Sequence, residues 1–300
     1  MKIRDLIRSI VPQFALDKYR KKKKETKRKK LSKEKEKGEI ITEENILNDL
    51  KRIGIKKGDT LLVHSSLSKI GYVEEGPKTV VSSLLKSIGE KGNLLMPSSP
   101  NASLQKDHIK KNKRFNVLVD KSALGAITEY FRKYPGVKRS LNATEPVCAY
   151  GPKKDYFVNG HLGEVTPYTE NSPFYKVAES RGKILYIGVT LANAGTSLHC
   201  LEDAVDFEYP VYCNEFYSVE IVDEQGVKHA VKTRVHNPVW SAKRKCDELI
   251  PMFIEKGVCA KEKIGKANVL VFDAFKMLEV MKEEYEKNGV TMYHPKGLGV

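Results

Sequence analysis

Among the 300 residues no stretch approaches the roughly 18 uncharged apolar residues that a membrane-spanning helix requires. The opening MKIRDLIRSIVPQF has neither the unbroken apolar core nor the small-residue cleavage site of a secretory signal, so a cytoplasmic protein is expected. The five cysteines, Cys148, Cys200, Cys213, Cys246 and Cys259, are odd in number, widely spaced and never paired as C-x-x-C. That argues against a disulfide framework and against a structural zinc site, and it predicts reduced, buried thiols. Also missing are a G-x-S-x-G elbow, an H-E-x-x-H zinc motif, a Walker loop, a G-x-G-x-x-G loop and any internal repeat.

Charge is abundant but uneven. The net charge is +15, yet residues 1–38 hold 16 Lys and Arg against 5 Asp and Glu, leaving 37 against 33 for everything after them. The basicity therefore belongs to an N-terminal arm, and residues 39–300 form the expected domain. Within the arm, DKYRKKKKETKRKKLSKEKEKGE has almost nothing to bury and reads as a solvated helix or a tether. Ahead of it, Ile3, Leu6, Ile7 and Ile10 fall at helical spacing, with Phe14, Leu16 and Tyr19 following Pro12. An apolar stripe beside a polybasic run fits reversible attachment to an anionic membrane surface at its inner face. Nucleic acid is disfavoured, because only Tyr19 is available for stacking and no binding fold is recognisable. A solvated tail without a partner is the plain alternative.

From residue 39 onward, apolar runs of strand length alternate with helical patterns. TEENILNDLKRIG, GPKTVVSSLLKSIG and GAITEYFRKYPG read as helices, the first capped by Thr42 with Asn45 where a capping box prefers Glu or Gln. DTLLVHSSL, GNLLMPSSP, PVCAYG and GKILYIGV read as buried strands. TSLHCLEDAVDF reads as a helix, and NEFYSVEIVDEQGVKHAVKTRV as a hairpin turning at Gln225-Gly226. KRKCDELIPMFIEKG and AFKMLEVMKEEYEKNG close the chain as helices. The expected fold is α/β: a layered α/β/α domain with a central mostly parallel or mixed sheet and an antiparallel hairpin insertion. Ligands of such sheets collect beyond the carboxyl ends of the strands, where His64, Ser65, Ser66, the loop from Pro97 to Pro100 and His199 all fall.

TSLHCLED carries the chemistry. An imidazole suits proton abstraction near neutral pH if its second nitrogen donates to something fixed, and Glu202 lies three residues beyond His199, on the same helix face. Thr196 and Ser197 are placed to donate to an oxyanion or a leaving thiolate. The same spacing occurs on many solvated helices, so the pattern alone leaves both readings open. Activation of Ser65 by His64 is disfavoured, since consecutive strand residues face opposite ways. A metal would have to gather His161, His199 and His236 from distant positions, and none is expected.

In order, LLVHSSLSKIGYVEEGPKTVVSSLLKSIGEKGNLLMPS, GAITEYFRKYPGVKRS, CAYGP, NSPFYKV, GKILYIGV and TSLHCLED resemble the aminoglycoside 3-N-acetyltransferase family from about residue 43 onward. The resemblance implies transfer of acetyl from acetyl-CoA to an amino group of an amino sugar, a reaction that requires no acyl-enzyme and so suits a site without a primed Ser or Cys. It implies that His199 is the general base and Glu202 its support; Thr196 joins them as a catalytic candidate on its hydroxyl alone. It implies that the HSSL segment lies along the coenzyme, making His64, Ser65 and Ser66 its contacts, with Ser172 and Pro173 of NSPF as further ones. Many members carry His-Pro where this chain has Asn142-Ala143, and often another His where Glu145 stands, so no substrate role carries over there. Glu145, Asp203, Asp206 or Glu208 are then candidates to face a cationic amine.

Three functional readings emerge. The first is an aminoglycoside N-acetyltransferase. The second, prompted by the arm, is an N-acyltransferase of a nucleotide-linked or lipid-linked amino sugar in surface polysaccharide biosynthesis, where a tether raises effective concentration. The third is a non-catalytic membrane-binding or nucleic-acid-binding protein, disfavoured because His199 and Glu202 are both present.

Overall fold

Along TLLVHS and KILYI successive side chains must point to opposite sides of a strand, so two such apolar runs side by side require a packed layer on each face. The computed structural model, which describes residues 13–297, meets that requirement with a seven-stranded mixed sheet between two helical layers. Its strands are β1 (Thr60–Ser65), β2 (Asn93–Pro97), β3 (Lys138–Arg139), β4 (Val147–Tyr150), β5 (Lys183–Ile187), β6 (Cys259–Ile264) and β7 (Ala267–Asp273). They lie in the order β6-β7-β5-β1-β2-β4-β3, with β5, β1 and β2 parallel and every other pairing antiparallel.

The arm and the two layers are built from α1 (Gln13–Glu36), α2 (Glu43–Arg52), α3 (Pro77–Ile88), α4 (Ala126–Arg132), α5 (Pro173–Glu179) and α6 (Ala274–Asn288). Leu61, Val63, Leu185 and Ile187 face one side of the sheet, where they join Ile46 and Leu50 of α2, Leu84 of α3 and Phe131 of α4. Leu62, Ile184 and Tyr186 face the other, against Phe174 and Val177 of α5 and Met277 and Met281 of α6. At roughly 1.5–3 kcal/mol for each fully buried large side chain, these two interfaces supply most of the driving force for the layering. The chain leaving β1 enters the first layer and the chain leaving β5 enters the second, so a crevice opens between them at the carboxyl ends.

Local signals explain the boundaries. The Thr42 side chain accepts from Asn45 N–H at 3.3 Å and the Asn45 side chain accepts from Thr42 N–H at 3.0 Å, so asparagine completes the capping box that glutamate usually makes. Gly188 ends β5 at φ 68°, and a Cβ there would stand 2.4 Å from Lys69 Cβ, so this exit turn requires glycine. The expected hairpin is present as Tyr217–Val222 against Lys228–Thr233; a third strand, Arg114–Asn116, joins it in parallel to make a small sheet around Phe115, Ile221 and Val235.

Three expectations need correction. The β6–β7 hairpin has no counterpart among the expected elements; only half of its residues are buried, and its signal is the turn at Gly265 followed by ANVLVF. TSLHCLEDAVDF is not one helix: Thr196–His199 is a 3₁₀ turn, Cys200–Ala204 a single α-turn, and Val205 is already extended. The arm is also not separate from the domain up to residue 38. Helix α1 stops at Glu36, Gly38 turns the chain at φ 72°, and Glu34 is already buried. Its carboxylate accepts from Tyr72 N–H at 3.0 Å and pairs with Lys266 at 3.1 Å, while Lys35 lies over the Tyr72 ring. Toward its start α1 presents lysines and the exposed Tyr19 to solvent. The apolar stripe of Ile3, Leu6, Ile7 and Ile10 lies outside the described residues. Among the described residues no helix is long and apolar enough to cross a membrane, and all five cysteines are buried free thiols.

Candidate active site

The crevice at the carboxyl ends of β1, β2 and β5 is a pocket of about 370 Å³. Its walls include His64 and Ser65 from β1, Pro97 from β2, Val189 and Leu191 to Thr196 from the segment after β5, and His199. Glu145, Tyr168, His236 and Arg244 complete it from other parts of the chain. Gly195 lets the segment after β5 fold back tightly, because any Cβ there would meet Leu191 O at 2.5 Å. This sets Thr196 and His199 on the pocket wall.

Glu202 lies behind His199, and its side chain has no exposure at all. A buried carboxylate is tolerated only where its lone pairs are filled. Oε1 accepts from His199 Nδ1 at 2.9 Å and from the Tyr293 hydroxyl at 2.6 Å, and Oε2 accepts from His236 Nε2 at 2.8 Å. Burial works to raise the Glu202 pKa, but the attraction and hydrogen bonds of His199 and His236 outweigh it and hold the carboxyl well below its usual range. An ionised carboxylate only accepts, so both imidazoles must donate, and His199 is left with a bare Nε2 on a ring that lines the pocket.

The imidazoles stay neutral at neutral pH. Burial, with the charge of Arg244 adding to it, lowers the His199 pKa despite the attraction of Glu202. The same causes push His236 down to about 3. The two rings lie 4.4 Å apart, and His236 is packed between Tyr212 at 4.8 Å and Tyr168 at 5.6 Å. His64, lowered to about 3 by burial, stacks on its cross-strand neighbour Tyr186 at 4.8 Å; its Nε2 lies 3.5 Å from the Thr196 hydroxyl.

The other sequence candidates divide. Ser65 lines the pocket, and its buried hydroxyl has no hydrogen-bond partner among the described residues. Glu145 also lines it; burial raises its pKa to about 7, and it accepts from Gln105 Nε2 at 2.8 Å. Ser66, Ser172, Pro173, Asp203, Asp206 and Glu208 are not on the pocket wall. Ser66 starts the turn Leu67–Ile70, and Ser172 caps α5 by accepting from Tyr175 N–H at 3.2 Å, with Pro173 at the first helical position. Asp203 takes hydrogen bonds from Thr166 and Tyr212, and burial raises its pKa to about 6. Asp206 and Glu208 are exposed beside Tyr285. Ser172 and Asp203 thus have local hydrogen-bond partners of their own.

The grouping of His161 with His199 and His236 does not form: His161 is buried against Ser140 and the Pro167 carbonyl. Glu202 takes that place, bringing three metal-type donor groups within 4.8 Å of one another. Their facing atoms are already hydrogen-bonded together, and the Arg244 cation stands close by. Sequence reasoning missed Tyr168, Arg244, Gln105 and Tyr293, and met His236 only as a metal candidate. No spacing links these positions, which the fold alone brings together.

A layered α/β domain with neutral imidazoles and a buried carboxylate around a strand-end pocket has the form of an enzyme that moves protons. The family model for aminoglycoside 3-N-acetyltransferases matches residues 62–286, and the chain belongs to that family. The prophage-derived aminoglycoside N(3′)-acetyltransferase-like protein YokD of Bacillus subtilis is 32% identical over 183 residues, 56% of this chain and 66% of that one. Aminoglycoside N(3)-acetyltransferase IX of Micromonospora chalcea is 24% identical over 264 residues, 79% of this chain and 90% of that one. The solved structure of Bacillus subtilis YokD, 27% identical, superposes with a TM-score of 0.70 and covers 83% of this chain and 94% of its own. A structure of AAC-IIIb with CoASH, 23% identical, has the same TM-score over 83% of this chain and 97% of its own.

Proposed function

We propose that this protein transfers the acetyl group of acetyl-CoA to an amine of an aminoglycoside-type amino sugar, with His199 as general base and Glu202 orienting it. The observation that carries the reading is the hydrogen bond from His199 Nδ1 to the buried Glu202, which leaves a bare Nε2 on a pocket-lining ring. Family membership supports the acyl donor and the acceptor class. So do related structures, one holding CoASH, others holding sisomicin or a gentamicin.

The chemistry is a direct transfer. The sugar amine attacks the thioester carbonyl while His199 Nε2 takes its proton; a C–N bond forms and an oxyanion develops. Collapse breaks the C–S bond and releases CoA thiolate, which regains a proton from the imidazolium or water. Thr196, with His64 beside it, is our candidate donor to the oxyanion or thiolate. The unpartnered Ser65 hydroxyl fits a hydrogen bond to the pantetheine arm. Ser66, Ser172 and Pro173 are left out of this assignment. We also assign α1 an anionic lipid surface as partner, on its charge alone.

The test is thiol release from acetyl-CoA with a panel of aminoglycosides and nucleotide-linked 4-amino sugars. Amine-dependent release with an aminoglycoside is expected. Absence of release with every amine in the panel sinks the reading.

A further inference from the structure

Glu202 has more donors than one general base needs. His199 sits one helical turn away, but the second imidazole comes from His236, which follows the strand Lys228–Thr233, and the hydroxyl comes from Tyr293, beyond α6. A side chain bonded only to satisfy itself can do so with any partner; His236 is fixed on every side. Its ring faces are covered by Tyr212 and Tyr168, its Nε2 reaches Glu202, and its backbone N–H donates to Gln105 Oε1 at 3.0 Å. Gln105 in turn holds Glu145, so the acidic wall of the pocket and the carboxylate behind the base are tied to the same residue.

We propose that His236 is a positioning residue for the general base: its Nε2–H fixes the Glu202 carboxylate so that Oε1 meets His199 Nδ1, and draws off part of its negative charge. The inference rests on the reading of His199 as the base. With one oxygen tied to His236, Glu202 cannot rotate away from His199, so the ring keeps the tautomer with Nε2 bare. Arg244, Tyr293, Tyr168, Tyr212, Glu145, Asp203, Cys200, Cys213 and Cys246 are the other charged or titratable groups around the cluster. Of these, Tyr293 also donates to Glu202, and Arg244 is the cation that opposes protonation of both imidazoles.

Removing the His236 donor concentrates the carboxylate charge on His199 and makes that ring more basic, provided Glu202 stays ionised. The sign is therefore definite: the acidic limb of the rate profile moves to higher pH. In the full-length chain, His236→Asn and His236→Leu, which cannot place a donor at the Nε2 position, should lower kcat about 10- to 100-fold, the size of one charge-assisted hydrogen bond. Their acidic limb should rise by about half a pH unit. His236→Gln, whose amide reaches that position, should restore most of both. In a Glu202→Gln background the same changes should cost nothing further.

An unmoved limb, equal losses in the Asn and Gln variants, or losses that add in the Glu202→Gln background would overturn the assignment. Nitrogen chemical shifts of histidine in the unmodified protein give an answer that does not depend on any variant folding. His236 should be neutral with its proton on Nε2, and a bare Nε2 there refutes the proposal. If instead His199→Ala keeps ordinary turnover, it is the base reading that fails, a result separate from these.

Discussion

His199 Nδ1 lies 2.9 Å from Glu202 Oε1, one helical turn away, with the carboxylate fully buried and the imidazole edge at the pocket wall. The carboxylate is also held by His236 and Tyr293, so losing the imidazole need not release it. His199→Ala removes the acceptor for the amine proton and should lower kcat by about 10²- to 10⁴-fold, the usual range for a positioned general base. CoA affinity measured by calorimetry should stay within about twofold, since the His64 and Ser65 wall is untouched. Ordinary thiol release by this variant removes His199 from the mechanism.

The pH profile follows from the environment of that ring. Burial and Arg244 lower the His199 pKa below 6.5, so the base is already free at neutral pH. Activity should hold as pH falls through 6.5 and decline only at more acidic values, as His199 takes up a proton. The profile of kcat for acetyl transfer checks this, with thiol release measured under saturation by both acetyl-CoA and the amine, so that a pH-dependent amine KM drops out. An acidic limb above 6.5 would mean that the attraction of Glu202 outweighs burial, reversing the order of the two causes.

What the sequence made legible was whatever repeats at short range. The apolar runs of β1, β2, β4 and β5 and the helical patterns of α2, α3 and α6 are local, and so is the spacing of His199 and Glu202. The β6–β7 hairpin escaped because CAKEKI exposes half its residues at the sheet edge and carries three charges, so burial could not mark it. His236 and Tyr293 escaped for a different reason. They stand 34 and 91 residues from Glu202, and only the layering of the sheet and α6 brings them to it. Ser172 and Asp203 lie off the pocket wall and accept hydrogen bonds from Tyr175, Thr166 and Tyr212, the last two being partners that no spacing in the sequence announces.

The basic helix has its own test, and its docking fixes where to cut. Because Glu34 is anchored at Tyr72 and Lys266, truncation should remove residues 1–32 and spare that contact. The shortened protein should keep its turnover with soluble acceptors and lose association with vesicles containing anionic lipid. The intact chain should bind such vesicles less as salt rises, because exposed lysines act through a field screened over about 10 Å at 0.1 M. Equal sedimentation of both forms with anionic vesicles would remove the lipid surface as a partner of α1.

Glu145 is our candidate for the anion that meets a sugar ammonium, apart from the proton transfer itself. It is on the wall with His199, held by Gln105, and burial raises its pKa to about 7, so it gains its charge as pH passes through neutrality. An amine that binds as its ammonium should then show a KM that falls as pH rises through about 7. Glu145→Gln keeps the size and the link to Gln105 while removing the charge, and should raise the amino-sugar KM about tenfold, roughly 1.4 kcal/mol. Its kcat should change by less than about threefold, and its KM should lose the pH dependence around 7. A matching loss in kcat with KM unchanged would instead make Glu145 part of the proton-transfer machinery, because only an interaction formed in the transition state lowers kcat in that way.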